Sequence, residues 1–315
     1  MDSRLPTFED VLAAAARIAP HANRTPVLRS RSLDALAGAE LHFKCEHLQR
    51  IGAFKFRGAC NAVQALAPDV AARGVVTHSS GNHGAALALA ARERGIPAHV
   101  VVPEGANAVK LAAIEAYGAT VHRCAATLAA REETAARVLA DTGATLVHPY
   151  ADPFVIAGQG TAALELLSEA GALDAIVTPL GGGGLTAGTA LVAAARGGAA
   201  VFGAEPAGAA DAFESLRQGR HVTDLVPGTL CDGLRATVGA PNLALLRGLG
   251  AQALLASDDE VVAAMRLLWG RLKQVVEPSA AIALAVVLKH PEHFAGKRVG
   301  LILSGGNVDL DALPW

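Results

Sequence analysis

Lys55 sits between two aromatic residues in Gly52-Ala53-Phe54-Lys55-Phe56-Arg57-Gly58-Ala59, with small residues on both sides. Burying an ammonium group is costly. A lysine in this company therefore predicts partial burial, a depressed pKa and an amine free to attack a carbonyl. A lysine snorkelling at an ordinary helix start would give the same octapeptide, so the reading rests on three turns further along. Gly181-Gly182-Gly183-Gly184 follows an apolar run and precedes an Ala-rich helical stretch. Glycines there let the backbone close around a ligand, and the free N–H groups of the helix start form an anion site. A flexible turn is the bland alternative. The run fits neither the Walker pattern nor G-x-G-x-x-G, which favours a mononucleotide-sized phosphate over a dinucleotide. Ser79-Ser80-Gly81-Asn82-His83-Gly84 is a second strand-to-helix turn. It can grip a carboxylate through backbone N–H groups and Ser80, with the Asn82 amide available to a ring oxygen, or it can serve only as a helix cap. Ser304-Gly305-Gly306-Asn307 closes the last apolar strand, at the end where open α/β sheets place ligands.

A nucleophilic lysine, a phosphate cradle and a neutral hydroxyl at a strand end together suit pyridoxal phosphate. The lysine would hold the aldehyde as a Schiff base, the glycines the phosphate, and the ring would supply the electron sink.

The stretches that must position these residues alternate between strand and helix. Thr7-Phe8-Glu9-Asp10 opens an Ala-rich helix that Pro20 ends, and Leu41 to Glu46 is a short strand delivering the chain to Lys55. A helix from Gly58 to Leu66 follows. Strands at Val75 to His78, His99 to Val102 and Thr120 to His122 then alternate with helices from Ala85, Lys110 and Leu128. Strands at Asp174 to Pro179, Val201 to Ala204 and Val299 to Leu303 repeat the scheme, with helices from Gly158, after the glycine run, from Ser257 and after Glu277-Pro278-Ser279. Such alternation predicts an α/β fold of parallel strands covered by helices on both faces.

A chain of 315 residues is long for a single core, which suggests two domains. With 52% hydrophobic and 18% charged residues it is a globular protein and not a disordered one. A net charge of −2 gives no reason to expect nucleic acid or an anionic membrane as partner. Gly, Pro or charge interrupts every apolar run short of membrane-spanning length, and the N-terminal residues lack a signal-peptide core. Cys45, Cys60, Cys124 and Cys231 are scattered, as expected of reduced thiols in a cytoplasmic protein.

On these motifs, together with Ile156-Ala157-Gly158-Gln159-Gly160-Thr161 and Glu277-Pro278-Ser279, the chain resembles the fold-type II pyridoxal phosphate enzymes, in their serine/threonine dehydratase and serine racemase branch. The resemblance runs from about Phe8 to Leu310. It implies two open twisted parallel-sheet α/β domains, tryptophan synthase β-like, with the cofactor in the cleft. Residues 1–73 and 147–315 would form the large domain, and residues 74–146 a small domain that closes over substrate. Lys55 would be the Schiff-base lysine and the base at Cα, and Phe54 would pack against the ring. Asn82 would bond the phenolic oxygen, Gly181 to Gly184 with Leu185 would cradle the phosphate, and Ser304 would meet the pyridine nitrogen. Ser80 would move a proton on the face opposite the lysine, while Ser79, Asn82 and His83 would help hold the substrate carboxylate.

Two further matches concern charge. Glu205, Ala209 and Asp211 resemble the racemases' divalent-cation site, whose hard oxygen ligands suit Mg²⁺ or Ca²⁺, although two solvated acids around a turn would look alike. Arg131 falls where an arginine could pair with a second substrate carboxylate, within Arg131-Glu132-Glu133, which also reads as an exposed helix segment. Tyr150 stands where mammalian-type racemases carry asparagine and looks more like the dehydratases; Ala53 replaces a commoner serine. The resemblance thus implies a dehydratase of β-hydroxy amino acids such as serine, threonine or 3-hydroxyaspartate, releasing a 2-oxo acid and ammonia. The alternatives are a serine or aspartate racemase and, more remotely, a non-catalytic binder of phosphate ligands. A homodimer is what the family implies.

Overall fold

The computed structural model describes residues 4–106 and 108–315. Its strands are β1 (Val27–Leu28), β2 (Glu40–Lys44), β3 (Val75–Thr77), β4 (Ala98–Pro103), β5 (Thr120–Cys124), β6 (Thr145–Leu146), β7 (Ala175–Pro179), β8 (Ala200–Pro206), β9 (Gln252–Ala256) and β10 (Arg298–Ile302). They form two sheets. One has the order β1-β2-β10-β7-β8-β9, parallel except for β1 against β2; the other is wholly parallel, in the order β5-β4-β3-β6.

Alternation along the central strands explains why helices cover both faces of the larger sheet. Ala175 and Val177 of β7 join one core cluster with Leu301 of β10, packed under the helices Pro278–Lys289 and Asp258–Leu267. Ile176 and Ile302 point the other way, into a cluster with the helices Phe8–Ile18, Pro153–Ala170 and Gly184–Ala195. Gly300 lies where a Cβ would meet Leu166 at 2.7 Å, so β10 carries glycine at the point where the helix Pro153–Ala170 presses closest.

β10, the last strand in the chain, inserts between β2 and β7. Strand order reverses there, and open parallel sheets leave a crevice at the carboxyl ends of such strands. The ends of β2, β7, β8 and β10 deliver Lys55, the glycine run, the Glu205 turn and Ser304 to that side. The serine turn follows β3 of the smaller sheet.

Several boundaries differ from the sequence expectation. The helix expected from Gly58 begins at Lys55, and the one expected from Gly158 begins at Pro153, where the Asp152 carboxylate caps it by accepting from the Phe154 and Val155 N–H groups. The two-residue strands β1 and β6 are too short to show periodicity, and β9 was not expected. No helix among the described residues is long and apolar enough to cross a membrane.

Candidate active site

Lys55 is the first residue of the helix Lys55–Ala65, and three features hold that helix start in place. Ala53 bridges to Gly305, and the Phe54 N–H donates to the Ser304 carbonyl at 2.9 Å, which ties the lysine to the end of β10. Arg57 is wholly buried, its guanidinium donating to both oxygens of Glu46 (2.7 and 2.8 Å) and both of Glu165 (2.8 Å each). Gly58 crosses Gly158 so closely that a Cβ on Gly158 would lie 2.6 Å from the Gly58 Cα, and Gln159 accepts the Gly58 N–H. The Ile156-to-Thr161 motif is therefore a helix crossing that steadies Lys55 from behind.

The Lys55 amine donates to the Pro149 carbonyl at 2.8 Å and lies 5.2 Å from the Phe54 ring centroid. Lys55 is part-exposed by surface area, yet protein surrounds its amine. That burial pulls its pKa down to about 8, against the opposing charge of Glu277. Neighbouring imidazoles are driven neutral in the same way. Burial lowers His148 to about 4 and His83 well below the ordinary histidine range, with Lys55 adding to both shifts.

Across from the lysine, the helix Asn82–Arg94 starts at the serine turn. Ser79 and Ser80 are half-buried, and neither hydroxyl has a hydrogen-bond partner among the described residues. A Cβ on Gly84 would lie 2.1 Å from the Ser79 carbonyl, so the turn closes only around glycine. The His83 ring is buried and faces the Val147 carbonyl (Nε2 to O 3.2 Å), which leaves its backbone N–H as its means of meeting a carboxylate. The Asn82 amide is held on both sides, donating to Glu277 at 3.0 Å and accepting from Asn307 at 2.9 Å.

The glycine run closes against protein. A Cβ on Gly182 would lie 2.3 Å from the Tyr150 ring, one on Gly184 3.0 Å from the Tyr150 carbonyl, and one on Gly181 2.9 Å from the Leu234 Cα; Gly183 has a positive φ of 89°. The small residues thus bring Tyr150 and the 234 loop onto the turn. The N–H groups of Gly181, Gly182 and Gly183 find no acceptor among the described residues and remain available to an anion. Leu185 is buried in the core, so its contribution there is its N–H.

The family model for pyridoxal-phosphate dependent enzymes matches residues 18–305. The chain belongs to this family. It is 49% identical to a β-hydroxyaspartate dehydratase of Paracoccus denitrificans over 312 residues, covering 99% of both chains. It is 46% identical to a serine racemase of Dictyostelium discoideum, covering 98% of this chain and 96% of that one. The solved structure of maize serine racemase superposes with a TM-score of 0.95 at 42% identity, covering 98% of this chain and 95% of that chain.

The residues present fit the cofactor of a pyridoxal-phosphate enzyme. The Ser304 hydroxyl, on a residue 4% exposed, has no partner among the described residues, and the glycine N–H groups and the Lys55 amine are placed as described. Glu205 is fully buried and burial raises its pKa to about 8; its two oxygens accept the Ala212 and Phe213 N–H groups at 2.8 and 2.7 Å. Asp211 opens the helix Asp211–Gln218 and accepts from the Val238 N–H at 2.7 Å. Neither acid pairs with lysine or arginine among the described residues, and burial raises Asp211 as well, a donor set that suits a cation. Arg131 is half-buried on the helix Leu128–Thr142; its Nε donates to the Thr127 carbonyl at 3.4 Å, and its charge reaches His78 and Tyr150. Sequence reasoning missed Pro149, His148, Glu277 and Asn307 as members of this site. The motifs quoted for the resemblance contain Glu277 and Asn307, but nothing local shows that they meet Asn82.

Proposed function

We propose that this enzyme is a dehydratase of β-hydroxy amino acids that releases a 2-oxo acid and ammonia, with 3-hydroxyaspartate as the favoured substrate class and serine and threonine as related ones. The observation that carries this is the Lys55 amine, its pKa pulled by burial down to about 8, near a serine turn whose hydroxyls and N–H groups have no partner among the described residues. When bound, pyridoxal phosphate would supply the electron sink that makes Cα–H acidic. Lys55, released from the cofactor by the incoming amine, would take the Cα proton, and the serine turn with the Asn82–Arg94 helix start would hold the substrate carboxylate. Phe54, Asn82, Ser304 and the N–H groups of Gly181 to Leu185 would hold the cofactor. A neutral hydroxyl at Ser304 cannot keep the pyridine nitrogen protonated as a carboxylate would, which favours elimination over transamination.

Arg131 supports an acidic substrate side chain. No ion pair occupies it among the described residues, and its charge is felt at Tyr150 and His78, which supports pairing with a second carboxylate. The name of the Paracoccus relative agrees. A second reading, racemisation, is supported by the Ser80 hydroxyl, which has no partner among the described residues and would act on the face opposite Lys55, and by the racemases among the relatives. We also place a divalent cation, Mg²⁺ or Ca²⁺, on Glu205, the Ala209 carbonyl and Asp211, and expect a homodimer.

A panel of serine, threonine and the 3-hydroxyaspartates, read by ammonia release and by chiral analysis, separates the readings. Ammonia from 3-hydroxyaspartate, lost in Lys55→Ala and weakened in KM by Arg131→Ala, is the expected result. D-amino acid formed faster than ammonia would replace it with racemisation. Chelation should lower the melting temperature of the wild type and leave Glu205→Gln unmoved; an unchanged wild type removes the cation.

A further inference from the structure

Glu277 precedes the helix Pro278–Lys289 at its cap position, yet its side chain accepts no hydrogen bond from that helix. Ser257 and Asp152 do cap theirs, so capping does not account for a glutamate at this place. The residue is 3% exposed, and burying a carboxyl group is costly without compensation. Its Oε1 accepts from the Asn82 amide at 3.0 Å, while Oε2 has no hydrogen-bond partner among the described residues. The end of β10 is shaped to admit it: a Cβ on Gly305 would lie 2.5 Å from Oε1.

The opposite side of Asn82 is fixed as firmly. Its Oδ1 accepts from the Asn307 amide at 2.9 Å, and that amide also donates to the Ile51 carbonyl at 2.8 Å. A Cβ on Gly52, whose φ is +73°, would lie 2.6 Å from the Asn307 Oδ1, so glycine makes room for this second grip. An asparagine amide has one acceptor oxygen and two N–H donors. With oxygen and one donor engaged, a single N–H is uncommitted.

We propose that Glu277, with Asn307, is a positioning residue for the chemistry at Lys55: the pair locks the Asn82 amide and keeps its one uncommitted N–H for the cofactor. This rests on the reading of Asn82 as a cofactor ligand given above. Glu277 and Asn307 belong to the side of the larger sheet and Asn82 to that of the smaller, so the lock forms only when the two sides meet.

The test is a double-mutant cycle on the cofactor-loaded protein, combining Asn82→Ala with Glu277→Ala. It is read by kcat and by the pH at which the bound cofactor's visible absorption changes. Glu277→Ala alone should lower kcat about tenfold or more, since small misplacements cost that much, and should move the absorption in the same sense as Asn82→Ala. Added to Asn82→Ala it should change kcat less than about threefold. Glu277→Gln, which keeps a carbonyl acceptor for Asn82, should recover most of the loss. Additive effects, or an absorption transition unmoved by Glu277→Ala, overturn the proposal. So does a transition unmoved by Asn82→Ala. Should Glu277→Ala fail to fold, Asn307→Ala runs the same cycle without emptying a buried carboxyl site. The absorption readout needs only bound cofactor, so a protein inert toward 3-hydroxyaspartate would sink the substrate reading and leave the cycle interpretable.

Discussion

At the scale of single residues, the decisive balance is at Lys55. Burial lowers its pKa to about 8 and the nearby Glu277 carboxyl partly offsets this. Below that value the amine is mostly ammonium and cannot attack an aldehyde. Uptake of cofactor by the cofactor-free protein should therefore quicken about tenfold per pH unit up to pH 7 and level off above 8. Stopped-flow absorbance across that range checks this, and a rate still climbing at pH 10 would show an unperturbed lysine. Ser80 offers a second test at this scale, because its hydroxyl has no competing partner among the described residues. Ser80→Ala should remove racemisation while leaving most dehydration of the L-substrate, as chiral chromatography beside an ammonia assay would reveal. Equal loss of both would argue against two proton-handling faces.

Among elements, the helix Lys55–Ala65 matters most, since the lysine's reach is set by where that helix starts. Its anchor is the fully buried Arg57, bridged to Glu46 and Glu165, with Lys44, also fully buried, donating to Glu165 at 2.6 Å. Glu169 also lies 3.9 Å from Lys44, so two positive groups face three negative ones, and the desolvation cost is balanced only while they remain together. Arg57→Leu should destabilise the fold by about 3–5 kcal/mol, because it strands the buried Glu46 carboxylate without a counter-charge. Urea denaturation measures this; a loss within experimental error would mean that water solvates the network. Fit at the Gly58–Gly158 and Gly160–Gly188 crossings works with the same anchor, where added carbon would strike backbone.

For the whole molecule, contacts from the smaller sheet's side reach the larger across the cleft. Asn82 meets Glu277 and Asn307, and Lys110 pairs with Asp232. These contacts join the sides that carry the serine turn and the glycine run, and we propose that residues 74–146 close over substrate there. Crystal structures with and without a substrate analogue should differ by a rotation of residues 74–146 against the remainder. Superposition of both halves at once, with no rotation, would rule closure out.

Much of this was legible in the chain. The period of the apolar runs carries the α/β class, because one-residue alternation and helical spacing are local consequences of backbone geometry. Lys55, the serine turn, the four glycines and Ser304 announce themselves because each chemistry depends on residue type in a turn. Strand order was beyond reach, since the insertion of β10 between β2 and β7 depends on packing of segments far apart in sequence. So was the reason for the glycines: Tyr150 and Leu234 come against the turn from elsewhere in the chain. Glu277 and Asn307 reach Asn82 across 195 and 225 residues of sequence, and a contact of that kind has no local signature. Residue types fixed the available chemistry, and tertiary packing decided which groups hold which, because burial and hydrogen-bond geometry arise only once distant segments meet.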